Sequence, residues 1–179
     1  MYSSRLSGTF VAVVACALLF SFDASAQVYA PIESLYAPGR CLDVPAGSRD
    51  NKVEVQLYSC NGGDNQQWAF IQTDSYYGWG MIRNLYSGKC LDVRGALTGG
   101  GVVVQQYTCG TGDNQLFRRH LFSNLLQVKH SGLCIGALGT SNHAKIRQGY
   151  CRYNNSPSEP YSPAAQWSAY FSYSGIDSP

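Results

Sequence analysis

Five side chains that hydrogen-bond or stack occur twice in this chain at one fixed offset. Asp43, Gln56, Tyr58, Asn65 and Gln66 are matched 49 residues later by Asp92, Gln105, Tyr107, Asn114 and Gln115. Around them, VQLYSCNGGDNQQW at 55–68 and VQQYTCGTGDNQLF at 104–117 agree at eight of fourteen positions. A carboxylate accepts through two oxygens, a carboxamide both donates and accepts, and a tyrosine ring offers an apolar face. None of these contacts requires a metal or a cofactor. Bond-breaking chemistry is not expected. His120, His130 and His143 sit in no GxSxG or HExxH setting. Glycoside hydrolysis needs two carboxyl groups about 5–9.5 Å apart, whereas Asp43 and Asp92 belong to separate repeats.

The elements that position these residues repeat as well. PGRCLDV at 38–44 is followed by SGKCLDV at 87–93 and, more loosely, by SGLCIGA at 131–137. The units end on Trp68, Phe117 and Trp167, which are 49 and 50 residues apart. An internal repeat of this period signals one architecture built from units that cannot bury their own apolar faces. Gly39, Gly88 and Gly132, each two residues before a cysteine, predict the same turn with positive φ. Short alternating β-rich runs, glycine, asparagine and proline punctuation and no sustained helical period predict about four short strands per unit. The expected fold is therefore all-β and threefold, with one shared core.

The start of the chain, 1–26, is expected to be a cleaved secretory signal peptide. It has Arg5, an apolar run from about Phe10 to Phe22 and a small-x-small site ending at Ala26. That run is too short for an integral membrane span, which takes roughly 20 apolar residues. Cys16 leaves with this segment. The other six cysteines, Cys41, Cys60, Cys90, Cys109, Cys134 and Cys151, then point to disulfides in a secreted protein. The pairing that makes three similar short loops is Cys41 with Cys60, Cys90 with Cys109 and Cys134 with Cys151. Each such loop contributes roughly 3 kcal/mol by the chain-entropy model. No CxxC pair supports a zinc site. The net charge of +2 is scattered, and its only cluster, Arg118-Arg119-His120, reads as a solvated loop, so no nucleic-acid partner is expected.

The pattern CLDV, VQLYSC and DNQQW, with its recurring cysteines, resembles the ricin B-chain-like lectins and the family 13 carbohydrate-binding modules, from about Tyr29 to Tyr170. The resemblance implies a β-trefoil: a six-stranded barrel capped by three hairpins, as a single domain at 27–179 with repeats at about 29–72, 80–120 and 124–171. It also implies a surface sugar site in each repeat, made of Asp43, Gln56, Tyr58, Asn65 and Gln66 in the first and Asp92, Gln105, Tyr107, Asn114 and Gln115 in the second. The carboxylate would accept from vicinal sugar hydroxyls and the tyrosine would meet the C–H face of the ring. The implied function is that of a secreted, calcium-independent lectin for galactose/GalNAc-type or xylan-like glycans, so the partners are galactosides or plant cell-wall polysaccharide. The same residues also have a structural reading. Gln66 and Trp68 belong to a motif that mainly holds the fold together, Asp43 can cap a turn, and Tyr58 can be a half-buried strand residue.

The third repeat departs from the pattern. It has Gly136 for aspartate, Arg147 and Gly149 for glutamine and tyrosine, and Ala164-Ala165 for Asn-Gln, with the polar loop RYNNSPSEPYSP inserted before Trp167. It is expected to keep the fold and lack the site. An alternative function is a cell-binding or accessory subunit of a secreted toxin of the cytolethal distending type, or a partner in an enzyme complex. The aromatic candidates for a protein partner there are Tyr76, Tyr77, Trp79, Tyr161, Tyr170, Phe171 and Tyr173, although TDSYYGWGM also reads as a hairpin of packed rings. Asn154-Asn155-Ser156 is a glycosylation sequon, and the tail at 172–179 reads as a frayed end.

Overall fold

In the computed structural model, residues 27–120, 123–151 and 166–169 are described. The leader, the RYNNSPSEPYSP loop with its sequon, Ala164, Ala165, Tyr170, Phe171, Tyr173 and the tail lie outside the described residues.

The first repeat forms β1 (Ala30–Ser34), β2 (Arg40–Asp43), β3 (Val53–Glu54), β4 (Gln56–Ser59) and β5 (Gln67–Asp74). The second forms β6 (Trp79–Asn84), β7 (Cys90–Val93), β8 (Val104–Tyr107) and β9 (Phe117–Arg119). The third forms β10 (Leu126–Val128), β11 (Cys134–Ala137), β12 (Ile146–Gly149) and β13 (Trp167–Ala169). Four strands per repeat recur as expected. β3 and β4 are one strand interrupted at Val55, whose amide and carbonyl turn to Val104 and Ile146 in the other two repeats. Helical structure among the described residues is limited to four three-residue 3-10 turns, beginning at Pro45, Asp64, Arg94 and Asp113.

The outer strands of each repeat close a six-stranded barrel. Antiparallel pairing runs β1–β5–β6–β9–β10 and β13–β1. The last gap is closed by the bridge Leu125–Gln166. The inner strands form three hairpins, β2–β4, β7–β8 and β11–β12. This is the β-trefoil that the family resemblance implies. Closing the barrel removes its exposed strand edges. Gly39, Gly88 and Gly132 have φ of 77°, 69° and 69°, as their turns require.

Equivalent residues from the three repeats fill one core. Ile32, Ile82 and Leu126 come from the first strands, Leu42, Leu91 and Ile135 from the second, and Val55, Val104 and Ile146 from the third. Trp68, Phe117 and Trp167, at the starts of the fourth strands, are completely buried. Both indoles donate to the hairpin of their own repeat, Trp68 Nε1 to the Leu42 carbonyl and Trp167 Nε1 to the Ile135 carbonyl, at 3.0 Å each. The disulfides are Cys41–Cys60, Cys90–Cys109 and Cys134–Cys151, one in each hairpin unit.

One expectation is corrected. Arg118 and Arg119 are strand residues of β9, paired with Gln127 and Leu126, and not a solvated loop. The guanidinium of Arg118 lies 4.6 Å from the Trp79 ring centroid, so its charge is stacked on an aromatic face.

Phe117 shows that a phenyl ring fits the barrel position but cannot donate. Trp68→Phe is therefore expected to fold and to lose about 2–4 kcal/mol of stability, since the Leu42 carbonyl is left unpaired and a small void opens. Urea unfolding followed by far-UV circular dichroism measures this.

Candidate functional site

In an antiparallel hairpin, side chains two apart share a face. The register pairs Asp43 with Gln56, Leu42 with Leu57 and Cys41 with Tyr58. Leu42 and Leu57 enter the core, so Asp43, Gln56 and Tyr58 are placed together on the opposite face. The second hairpin repeats this with Asp92 opposite Gln105 and Tyr107 opposite Cys90. The 3-10 turns at Asp64–Gln66 and Asp113–Gln115 then bring the asparagine and the second glutamine to the same carboxylate.

The carboxylates are nearly covered, at 3% and 4% exposure, and burial on that scale demands partners. Asp43 Oδ1 accepts from Asn65 Nδ2 at 2.7 Å and Gln66 Nε2 at 3.1 Å, and Oδ2 accepts from Gln56 Nε2 at 2.9 Å. Asp92 Oδ2 accepts from Asn114 Nδ2 at 2.8 Å and Gln115 Nε2 at 2.9 Å, and Oδ1 accepts from Gln105 Nε2 at 2.8 Å. A carboxylate offers about four lone-pair positions. Three are taken here by the protein, which leaves each aspartate one further acceptor position, on Asp43 Oδ2 or Asp92 Oδ1.

The other amides divide into two kinds. Gln66 and Gln115 are buried, and their remaining hydrogens go to the carbonyls of Ser59 and Thr108. Their Oε1 atoms accept from the amides of Asn61 and Gly110. Their groups are committed to the fold, and they hold the aspartate in place. Asn65 and Asn114 are half-buried and donate also to the carbonyls of Val44 and Val93 at 3.0 Å each, while their Oδ1 atoms keep acceptor capacity. A Cβ on Gly63 or Gly112 would lie 2.7 or 2.5 Å from Asn65 Oδ1 or Asn114 Oδ1. That explains the glycine before each Asp-Asn-Gln run.

Each set lies beneath an open groove. The first, of about 500 Å³, is lined by Asp43, Gln56, Tyr58 and Asn65, by the turn at 45–47, and by Asn61 and His143. The second, of about 720 Å³, is lined by Asp92, Gln105, Tyr107 and Asn114, by the turn at 94–96, and by Lys52. In the third repeat Gly136 faces Arg147, so the carboxylate is absent, and the guanidinium of Arg147 turns to Glu54 at 3.3 Å.

The profile of the Ricin-type beta-trefoil lectin domain matches residues 78–170, and that of the Ricin-type beta-trefoil lectin domain-like family matches residues 20–79. The chain belongs to the ricin-type beta-trefoil lectin family. Domains of this family are non-enzymatic carbohydrate-binding modules. Among solved structures, the ricin-type trefoil described here is similar to ThreeFoil, a designed threefold-symmetric protein. Identity is 30% over 78% of this chain and 94% of the other, with a TM-score of 0.68. It is similar to the exo-beta-1,3-galactanase 1,3Gal43A of Clostridium thermocellum, at 26% identity over 73% of this chain and 29% of that one, with a TM-score of 0.66. It also shares its fold with the Polyporus squamosus lectin, at 17% identity over 79% of this chain and 48% of the other, with a TM-score of 0.65. The chain thus spans less than a third of the galactanase and about half of the Polyporus lectin.

Two groove residues of this ricin-type domain were not found by reading the repeats singly. His143 comes from the third repeat. Its Nδ1 is 3.2 Å from Gln56 Oε1, and its ring meets Tyr58 edge-on at 5.2 Å between centroids. Lys52 comes from the first repeat and lines the second groove. The signal available was positional, since both stand eight residues before the second cysteine of their own repeat.

Gln66→Ala strands the Asn61 amide and the Ser59 carbonyl and removes one of the three donors to Asp43. A loss of about 2–4 kcal/mol of stability is expected in chemical denaturation, which separates this residue's structural part from any contact with ligand.

Proposed function

We propose that this protein is a secreted, calcium-independent lectin that binds galactose/GalNAc-type or xylan-like glycans through the first and second grooves. The observation that carries the reading is the duplicated arrangement itself. A carboxylate with one acceptor position left, an asparagine oxygen beside it and a tyrosine on the wall occur together in two repeats, and the third has Gly136, Ala164 and Gly149 at the matching positions. A pyranose presents vicinal hydroxyls on its edge and C–H groups on its face, which match the acceptors and the ring respectively. Galactose suits this well because its axial O4 leaves one face free of hydroxyls. Similarity to an exo-beta-1,3-galactanase supports a galactose-containing ligand.

Calcium independence is supported by ligand count. Each groove lining contains a single carboxylate, whereas calcium takes six to eight oxygen ligands, several of them usually anionic. Secretion is supported by the three disulfides, which persist in oxidising compartments. Two grooves on one rigid domain also gain avidity on multivalent glycans, by about 10²–10⁴ where geometry allows both to engage.

A second reading, an accessory subunit with a protein partner, has one observation in its favour. Tyr76 and Tyr77, in the turn between β5 and β6, are 83% and 61% exposed and pack on each other. Co-purification of a defined partner that is released by Tyr76→Ser and Tyr77→Ser together would favour it.

A glycan array carrying galactosides and xylan fragments, probed in EDTA, tests the main reading. Tyr58→Ala combined with Tyr107→Ala is expected to keep the fold and weaken binding at least tenfold, as measured by isothermal titration calorimetry. Undiminished binding by the double variant would move the site elsewhere on the surface.

A further inference from the structure

In each hairpin unit one residue reaches across to the next repeat. Lys52, Gly101 and His143 stand at the same place, eight residues before the second cysteine. All three have left-handed backbone, with φ of 68°, 82° and 69°. Their amides donate to the third strand of a neighbouring hairpin: Lys52 to Gln106 O at 3.0 Å, Gly101 to Gln148 O at 2.8 Å, and His143 to Leu57 O at 2.8 Å. The handover is circular, so each groove region is completed by the repeat next to it. Gly101 shows what the fold requires there, which is left-handed backbone that glycine adopts without strain. At the other two places a side chain is carried despite that strain, and both side chains line a groove. Strain kept beside a site points to a role in that site.

We propose that these borrowed side chains give the two grooves different ligands, and that the second groove selects a saccharide bearing a carboxylate. This rests on the reading that both grooves bind sugars. In the first groove Asp43 is the only carboxylate and neither lysine nor arginine is present. The second holds Asp92 together with Lys52 and Arg94. The carboxylate of Asp92 is covered and engaged by three amides, so the cations set the character of the opening. Arg94 is held in place, with Nε donating to Gln105 Oε1 at 2.7 Å and Nη2 to the Lys52 carbonyl at 3.3 Å. Its Nη1 lies 3.5 Å from Glu54, but Glu54 is shared with Arg147 at 3.3 Å and cannot neutralise both. Lys52 is exposed, and its ammonium makes no ion pair among the described residues. A positioned guanidinium beside a free ammonium complements the planar two-oxygen carboxylate of a uronic acid. A neutral sugar can accept hydrogen bonds from both groups but offers no charge for them to pair with.

The test uses the full chain labelled with ¹⁵N and two probes that differ only at C6, digalacturonic acid and the corresponding neutral digalactoside. Each is titrated at low and at high salt, and binding is read from backbone amide shifts. The acidic probe is expected to move Arg94, Gly95 and Tyr107 before Ala46 and Tyr58, and to bind the second groove about three- to tenfold more tightly than the neutral probe does. High salt should shrink that preference. Lys52→Gly, which reproduces the backbone of Gly101, should remove most of it while leaving the remaining spectrum unchanged. Equal affinity for the two probes at the second groove, or a preference that survives Lys52→Gly in full, would overturn the proposal. Binding of the neutral probe at the first groove, with neither probe at the second, would also overturn it while leaving the lectin reading intact. If neither probe moves either groove, the lectin reading fails for this ligand class and the proposal fails with it.

Discussion

No repeat of this chain can cover its own apolar side chains, and that constraint organises everything else. Trp68, Phe117 and Trp167 are each wholly buried, yet each repeat supplies only a few short strands. Burying a large aromatic ring contributes roughly 1.5–3 kcal/mol or more, but only when other repeats supply the surrounding surface. Barrel closure through the β1–β13 pairing and the Leu125–Gln166 bridge provides this. The hairpins are then packed around a pseudo-threefold axis, where Val55, Val104 and Ile146 come together through backbone hydrogen bonds.

Within that frame the carboxylates of Asp43 and Asp92 do a more local job. Each gathers a glutamine from the facing strand and two amides from the following turn, and so ties a hairpin to the loop that crosses it. The third repeat shows that the fold survives without this arrangement, because Gly136 and Arg147 keep the same register with no carboxylate present. The polar set is therefore surplus to the barrel in two repeats, although parts of it, Gln66 and Gln115 above all, have become structural. The loop anchor and the proposed recognition site are here one network, since Asp43, Asn65, Asp92 and Asn114 both tie the turns to the hairpins and line the grooves.

The two grooves are alike in plan and unlike in charge. Their floors come from equivalent residues and their walls from neighbours that differ. His143 meets Tyr58 edge-on at one groove, while Lys52 from the neighbouring repeat and Arg94 from the groove's own repeat flank the other. Symmetry of the backbone thus allows divergence of the grooves without disturbing the core, since the borrowed residues sit in turns and leave the apolar triplets untouched.

Much of this was legible in the sequence because the information was local. The glycine turns, the disulfide pairing and the partnership of Asp43 with Gln56, 13 residues apart, all lie within one hairpin unit, and a repeat compared with its copies exposes them. The strand character of Arg118 and Arg119 was missed because charge suggested solvent, whereas pairing with β10 and stacking on Trp79 decided otherwise. Repetition and alternation within the chain already specified the threefold all-β architecture, its cross-links and which polar residues recur in two repeats, since alternation in a strand assigns faces without reference to the rest of the chain. Only the tertiary structure decided how many acceptor positions each aspartate keeps and which neighbour completes each groove. Gln56 and His143 are 87 residues apart, and nothing in either segment encodes their meeting. It follows from closure of the barrel, which fixes the order of the repeats around the axis.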